Sequence, residues 1–187
     1  MDIEYLNSFE RKLLLELVQL CSSYHMLDGV LLETDDINEH WNVLAPEYVA
    51  DAVREVADYP VVSMAWAGYL GLAVAHGWDT RWSLYAKKAY SEYYGDEGFD
   101  DMDEHIVRDM LGLPLDGKEA RSIEAMLRSC GEKAISLIRH ENIEEQSPMA
   151  FHVFARAVKT MFRIGAALQL KRLGYKFHRV DLPEPNA

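Results

Sequence analysis

Two short acidic segments contain the residues of this chain whose types and spacing best suit chemistry. One reads Asp-Asp-Ile-Asn-Glu-His from residue 35, and the other reads Asp-Asp-Met-Asp-Glu-His from residue 100. Residues four apart on a helix share a face, so the second Asp of each segment lies beside its His. Carboxylate oxygens suit Mg²⁺ or Mn²⁺, and histidine nitrogens extend the range to Fe²⁺ and Zn²⁺.

These segments predict a metal site if the two helix starts meet in space. The candidate ligands are Asp35, Asp36, Glu39, His40, Asp100, Asp101, Glu104 and His105. The pattern resembles the aspartate-rich motifs of helical isoprenoid synthases and the acidic motifs of helical nucleotide pyrophosphatases. The resemblance covers only these two segments, and we assign no family on it. It implies a divalent-metal-dependent phosphohydrolase or a diphosphate-using enzyme, with Mg²⁺ or Mn²⁺ as cofactor and a histidine that moves a proton.

Helix capping explains the same residues without a metal. Asp36 with Glu39, and Asp101 with Glu104, have the spacing of a capping box. Acidic side chains at a helix start also favour the positive end of the helix dipole. A chain with 31 acidic residues repeats such short patterns readily. We therefore favour capping, which needs no cofactor, and keep the metal site as the alternative.

A second group of candidates is aromatic and lies between residues 66 and 94. Such residues line small-molecule pockets, and they are also enriched at oligomer interfaces. The residues that we single out for a pocket or an interface are Trp66, Trp78, Trp82, Tyr90 and Tyr93.

One uncharged stretch must position both groups. No charged residue occurs between Asp58 and Asp79. Pro60 suits the first turn of a helix, and Gly77 suits its end. A helix that is apolar on nearly every side is buried, so we expect a central helix over about 60–76 with the other helices around it.

Apolar periodicity and capping signals place further helices along the chain. The expected ranges are about 2–28, 36–45, 46–57, 80–93, 101–112, 116–140 and 147–173. No segment alternates as strands do. The sequence thus predicts an all-α, single-domain irregular bundle of six to eight helices over 1–174, followed by an extended C-terminal tail over 175–187.

The charge distribution limits the class of partner. The chain carries a net charge of −12, whereas residues 147–187 carry seven basic and two acidic residues. An acidic body argues against binding to nucleic acid or to anionic membranes. We expect the basic last helix to lie on the acidic body of its own chain, with binding of an acidic partner or a phosphate ligand as the alternative.

The remaining features lead to a binding function as the first hypothesis. Two cysteines far apart in sequence, with no signal peptide or transmembrane run, predict a cytoplasmic protein whose thiols act as small apolar residues. The excess of aromatic and apolar helical surface favours protein–protein binding or self-association, as a homodimer through the helix from Trp82 to Tyr94 or through the terminal helices. The metal-dependent enzyme is the second hypothesis, and a ligand pocket beside Trp66 and Trp78 is the third.

Overall fold

The computed structural model describes residues 2–177, and every regular element in that range is helical. The α-helices are α1 (Ile3–Ser23), α2 (Asp35–Glu55), α3 (Pro60–Tyr85), α4 (Met102–Glu104), α5 (Lys118–His140) and α6 (Pro148–Arg172). Short 3₁₀ turns occur at Tyr90–Glu92 and Phe99–Asp101, and a π-helical turn, His105–Met110, continues α4. The predicted all-α bundle is confirmed.

Helix α3 is the centre of the bundle. Nearly every residue from Ser63 to Gly77 is buried, and α3 packs most extensively against α6. Glycines allow this close approach, because a Cβ at Gly165 of α6 would collide with the carbonyl oxygen of Gly68, and one at Gly71 with that of Phe162. The buried central helix expected from the uncharged stretch is therefore present.

Helix α2 is longer than the sequence suggests. We expect Pro46 to separate two helices, yet α2 runs through it without interruption. A proline inside a helix leaves the carbonyl four residues earlier without its usual partner, here that of Asn42. Both Pro46 and Asn42 are exposed, so that carbonyl lies where it can be hydrated. The predicted boundary at residue 46 is wrong because the one hydrogen bond that Pro46 removes lies on the exposed face of α2, where it does not end the helix.

Helix α3 also passes the predicted stop at Gly77. It continues to Tyr85, with a break at Arg81, where φ is −153° and ψ is 59°. A Cβ at Gly77 would collide with the ring of Tyr85. Gly77 therefore makes room for a side chain rather than ending the helix. The separate helix expected over about 80–93 is replaced by the end of α3, a turn and one 3₁₀ turn.

The last two helices follow the sequence signals more closely. Ser147 caps α6 by accepting a hydrogen bond from the Ala150 N–H at 3.1 Å, with Pro148 in the first turn, as expected. Of the predicted tail, Tyr175 packs against Trp78 and donates to Asp79. Residues 178–187 lie outside the described range.

The basic residues of α6 pair with acidic residues of the same chain, as the sequence favours. Arg156, Lys159 and Arg163 surround Glu10 of α1. Further along, Lys171 pairs with Asp28, and Arg172 pairs with Glu119 of α5. The charge asymmetry of the sequence thus holds α6 against α1, α5 and the loop before α2.

None of the helices in residues 2–177 has the length and apolar character that a membrane span requires.

Candidate functional site

A half-open cleft of about 320 Å³ lies between α2 and α6. We call it the α2–α6 cleft. Its lining residues are Asp35, Asn38, Glu39, Trp41, Asn42, Lys159, Phe162 and Arg163. The volume is at the lower end of the range typical of small-molecule sites.

The α2 side of the cleft is acidic and amide-rich. Asp35, Asn38, Glu39 and Asn42 are spaced i, i+3, i+4 and i+7, so the helix presents all four on one face. The Asn38 amide donates to Glu33 Oε2 at 3.1 Å. Asp35, Glu39 and Asn42 are exposed and form no side-chain hydrogen bond within the described residues.

The α6 side of the cleft is basic. Lys159 and Arg163 are one helical turn apart, with Phe162 between them in sequence. Glu10, which is only 8% exposed, lies 3.3 Å from Lys159 Nζ and 3.5 Å from Arg163 Nη1. Arg163 Nη2 also donates to Glu33 at 2.9 Å. These carboxylates keep both cations at the edge of the cleft.

Two aromatic rings connect the walls. The ring centroids of Trp41 and Phe162 are 4.9 Å apart with an interplanar angle of 33°. Trp41 is 4% exposed and Phe162 is fully buried. Because both rings belong to the core, the spacing between α2 and α6 is set by rigid packing.

One hydrogen-bond donor of Arg163 remains unpaired after these contacts. Its Nε–H is buried and has no hydrogen-bond partner among residues 2–177. Buried donors are nearly always paired, and an unpaired one costs about 1–3 kcal/mol. A bound group that let this guanidinium reorient and pair all its donors would therefore be favoured.

The first acidic segment is divided between three places. Only Asp35 and Glu39 line the α2–α6 cleft. Asp36 accepts a hydrogen bond from Trp78 Nε1 at 3.2 Å. His40 is buried, with Nε2 3.3 Å from the Tyr93 hydroxyl and its ring edge-on to Trp82. Burial lowers the pKa of His40.

The predicted capping role of Asp36 is wrong. The N-cap of α2 is Thr34, whose hydroxyl accepts from the Ile37 N–H at 3.2 Å. The sequence signal is the Thr that precedes the acidic pair, which is a preferred N-cap residue type. Asp36 is thereby left in the first turn, where it is free to accept from Trp78.

The second acidic segment is divided as well. Asp101 accepts from the backbone N–H groups of Gly95 at 3.0 Å and Glu97 at 3.2 Å, so it holds the preceding loop rather than capping its own helix. His105 Nδ1 lies 3.0 Å from Asp109 Oδ2. Asp100 and Glu104 are exposed.

The two segments together give no support to the predicted metal site. Within residues 2–177, no three or more His, Cys, Asp or Glu side chains are arranged to hold a metal ion. Helix α5, which we expect to start near residue 116, has Gly117 as its N-cap, and no side chain caps it.

Asp103, an unpredicted residue of the second segment, lies in unusual surroundings. It borders a small cavity of about 30 Å³ together with Trp66, Tyr69, Glu124 and Arg128. Burial is the main reason that the pKa of its carboxyl rises to about 6. This cavity has room for about one water molecule, so it is too small to serve as a ligand site.

The aromatic candidates are largely core residues. Tyr90 is 2% exposed and donates to Asp51 at 2.9 Å, and Tyr93 is fully buried. Burial raises the pKa of both hydroxyls far above the ordinary value. Tyr90 and Tyr93 are therefore not available for the interface predicted on the helix from Trp82 to Tyr94. Trp66, Trp78 and Trp82 are half-buried, and Trp66 donates to the Phe99 carbonyl at 2.7 Å.

Most residues of the α2–α6 cleft are absent from the candidates of the sequence analysis. Asn38 lies inside the first acidic segment but is not among the candidate ligands, and Trp41, Asn42, Lys159, Phe162 and Arg163 lie outside both segments. The available signal is the basic character of the last helix, which the sequence analysis connects with an acidic partner or a phosphate. That pattern indicates the correct helix but not the helix that faces it.

Comparison with known proteins adds no relationship, because no family model, curated protein or solved structure matches the chain.

Proposed function

We propose that the protein works by binding, and that the α2–α6 cleft takes a small amphoteric molecule, one that carries a cationic and an anionic group. One observation carries the proposal. Asp35 and Glu39 on α2 share a cleft with Lys159 and Arg163 on α6. Groups of opposite sign on a ligand would each find a complementary wall.

The charges of the lining favour a ligand with little net charge. The eight lining residues contain two carboxylates and two cations, and both cations also pair with Glu10 or Glu33 beside the cleft. A simple anion would meet the acidic wall, and a simple cation would meet the basic wall. A zwitterion satisfies both, and the amides of Asn38 and Asn42 can bind its polar body.

The lining also favours binding over catalysis. None of the eight lining residues is a Ser, Thr, Cys, His or Tyr. The hydroxyl and thiol nucleophiles, and the histidine that most often transfers protons, are therefore missing from the wall of the cleft, which leaves Asp35, Glu39 and Lys159 as the groups that a reaction would have to use.

A series of ω-amino acids tests the proposal and measures the spacing of the two walls. Glycine, β-alanine, γ-aminobutyrate, δ-aminovalerate and ε-aminocaproate keep both charges while the distance between them grows. At about 100 times its Kd, a ligand stabilises by about 2.7 kcal/mol, which raises the Tm of a chain of this size by roughly 5–11 °C. We expect one length to give the largest shift. N-acetylation or esterification of that compound should abolish the shift, because each removes one charge.

Matched variants locate the effect. Lys159→Gln should weaken binding by about 10- to 100-fold through loss of a charged hydrogen bond. Lys171→Gln, on the same helix but paired with Asp28 outside the cleft, should leave it unchanged. On α2, Glu39→Gln should weaken binding, whereas Glu47→Gln should not. Equal shifts with the blocked analogues, or equal effects of the paired variants, would contradict the proposal.

Self-association stays a prediction, since it concerns a second copy of the chain. Light scattering at micromolar concentration checks it, and a mass of one chain would contradict it. The metal-dependent phosphohydrolase also stays a prediction, tested by the effect of Mg²⁺ and Mn²⁺ on Tm with an Asp100→Asn, Asp101→Asn variant as control.

A further inference from the structure

The two cysteines of the chain meet in the core. Cys21 lies near the end of α1 and Cys130 lies in the middle of α5. Their sulfur atoms are 3.6 Å apart, and both side chains are fully buried. The contact joins residues 109 positions apart in the sequence, so it forms only when α1 docks on α5.

Chance produces such a contact in a minority of cases. A buried residue touches roughly 6–12 others, most of them buried as well, so two of the 49 buried residues other than glycine meet with a probability of about one in eight to one in four. The chain contains only two cysteines, and the fold places them in direct contact. If the thiols served only as small apolar residues, their contact would be a coincidence of that probability.

We propose that Cys21 and Cys130 are a disulfide site, which closes when the chain meets a peroxide or a small-molecule disulfide. The bond would join α1 covalently to α5. This proposal is independent of the α2–α6 cleft.

The chemistry with hydrogen peroxide balances in two steps. One thiolate attacks an oxygen of the peroxide, the O–O bond breaks, and a sulfenic acid and hydroxide form. The second thiolate attacks the sulfenic sulfur, the S–S bond forms, and the S–O bond breaks with release of hydroxide. The two thiol protons convert both hydroxides to water. The thiols lose two electrons in total, and the peroxide gains them.

Burial controls the rate of this reaction. The hydrogen bond to Cys21, together with burial, raises the pKa of the Cys130 thiol well above its ordinary value. The thiolate is the reactive form, so the closed core reacts slowly. Reaction then requires α1 to open, or takes place before α1 has docked during folding.

Refolding in a glutathione redox buffer avoids this barrier. The reduced chain is unfolded in urea and then diluted into mixtures of reduced and oxidised glutathione. We expect a monomeric product that is lighter by two hydrogen atoms and has a peptide linking Cys21 to Cys130. The native fold should favour the bond by about 30- to 1,000-fold over the chain kept in urea, as typical disulfide stabilisation implies.

The stabilisation by the disulfide is measured on the wild-type chain itself, by comparing the Tm of its reduced and oxidised forms, and a variant serves only as the control. The oxidised form should have the higher Tm, and dithiothreitol should remove the difference. In Cys21→Ser, where a single thiol remains, Tm should not respond to dithiothreitol. A mixture with mainly glutathione adducts, a disulfide between two chains, or two free thiols at equilibrium would overturn the proposal.

Discussion

The segments Asp35–His40 and Asp100–His105 are alike in sequence but lie in different surroundings. In the first, His40 is buried between Tyr93 and Trp82. In the second, His105 is half-buried and pairs with Asp109 on the next turn. The second Asp also differs, because Asp36 accepts from a tryptophan of α3, whereas Asp101 accepts from two backbone groups of its own loop.

The residues around each segment explain the difference. Thr34 caps α2, so the first segment continues as a regular helix of 21 residues that packs one face on the bundle. The second follows the turn at Gly95–Gly98 and passes into a π-helical turn, which rotates its side chains relative to a regular helix. Four identical residues in a segment of six therefore do not define a shared site. What packs against each face decides the role of each side chain.

The largest expected difference between the segments concerns the histidines. His40→Ala should lower the free energy of unfolding by about 2–4 kcal/mol, because it leaves a cavity and an unpartnered Tyr93 hydroxyl. His105→Ala should cost less than about 1 kcal/mol, because it removes only a partly exposed pair. Urea denaturation of both variants measures the contrast, and equal costs would show that the two environments are not distinct.

A smaller difference is expected at the second Asp of each segment. Asp101→Ala leaves two loop N–H groups without a partner and should cost about 1–3 kcal/mol. Asp36→Ala removes one exposed bond to Trp78 and should cost about 0.5–1.5 kcal/mol. The same denaturation experiment ranks them. If Asp36→Ala proved the more harmful, Asp101 would not be the residue that holds the loop.

Asp103 has no charged counterpart in the first segment, where Asn38 occupies the same position. The folded-state pKa of Asp103 is raised to about 6 from 3.8, so its charge opposes folding above pH 6, and this penalty disappears as the pH falls towards 4. Asp103→Asn should therefore stabilise the protein at pH 7 by about 1 kcal/mol, allowing for solvent screening. Melting curves at pH 7 and pH 4 check this, since the gain should be absent at pH 4.

The smallest expected effect concerns the pH dependence due to His40. Its folded-state pKa lies below the ordinary 6.5, so below pH 6.5 the unfolded chain binds a proton that the folded chain does not. Stability should thus fall as the pH drops below about 6.5. His40→Gln should reduce this slope, and the part that remains is expected from His76, whose pKa burial also lowers. A slope that is unchanged in His40→Gln would show that His40 does not contribute to it.

The sequence predicts the architecture better than the site. A long uncharged stretch has no stable place outside a core, so the central helix follows directly from it. Pro46 misleads because it lies on an exposed face, where the carbonyl that loses its partner can be hydrated. Gly77 misleads because its small size makes room for the ring of Tyr85 instead of ending the helix. The α2–α6 cleft escapes detection because its walls come from residues more than a hundred positions apart, and their facing depends on the packing of Trp41 on Phe162. The predicted metal site likewise depends on tertiary packing, which the repeat does not encode.

The most direct test of the binding proposal uses the four tryptophan indole N–H signals in a ¹H–¹⁵N NMR spectrum. Trp41 lines the α2–α6 cleft, whereas Trp66, Trp78 and Trp82 do not. On titration with the ω-amino acid that gives the largest Tm shift, the signals of Trp41 and of the Asn38 and Asn42 amides should move and saturate together. The other three indole signals should stay in place. If none of the cleft signals moves, or if those of Trp66 and Trp78 move instead, the α2–α6 cleft is not the binding site.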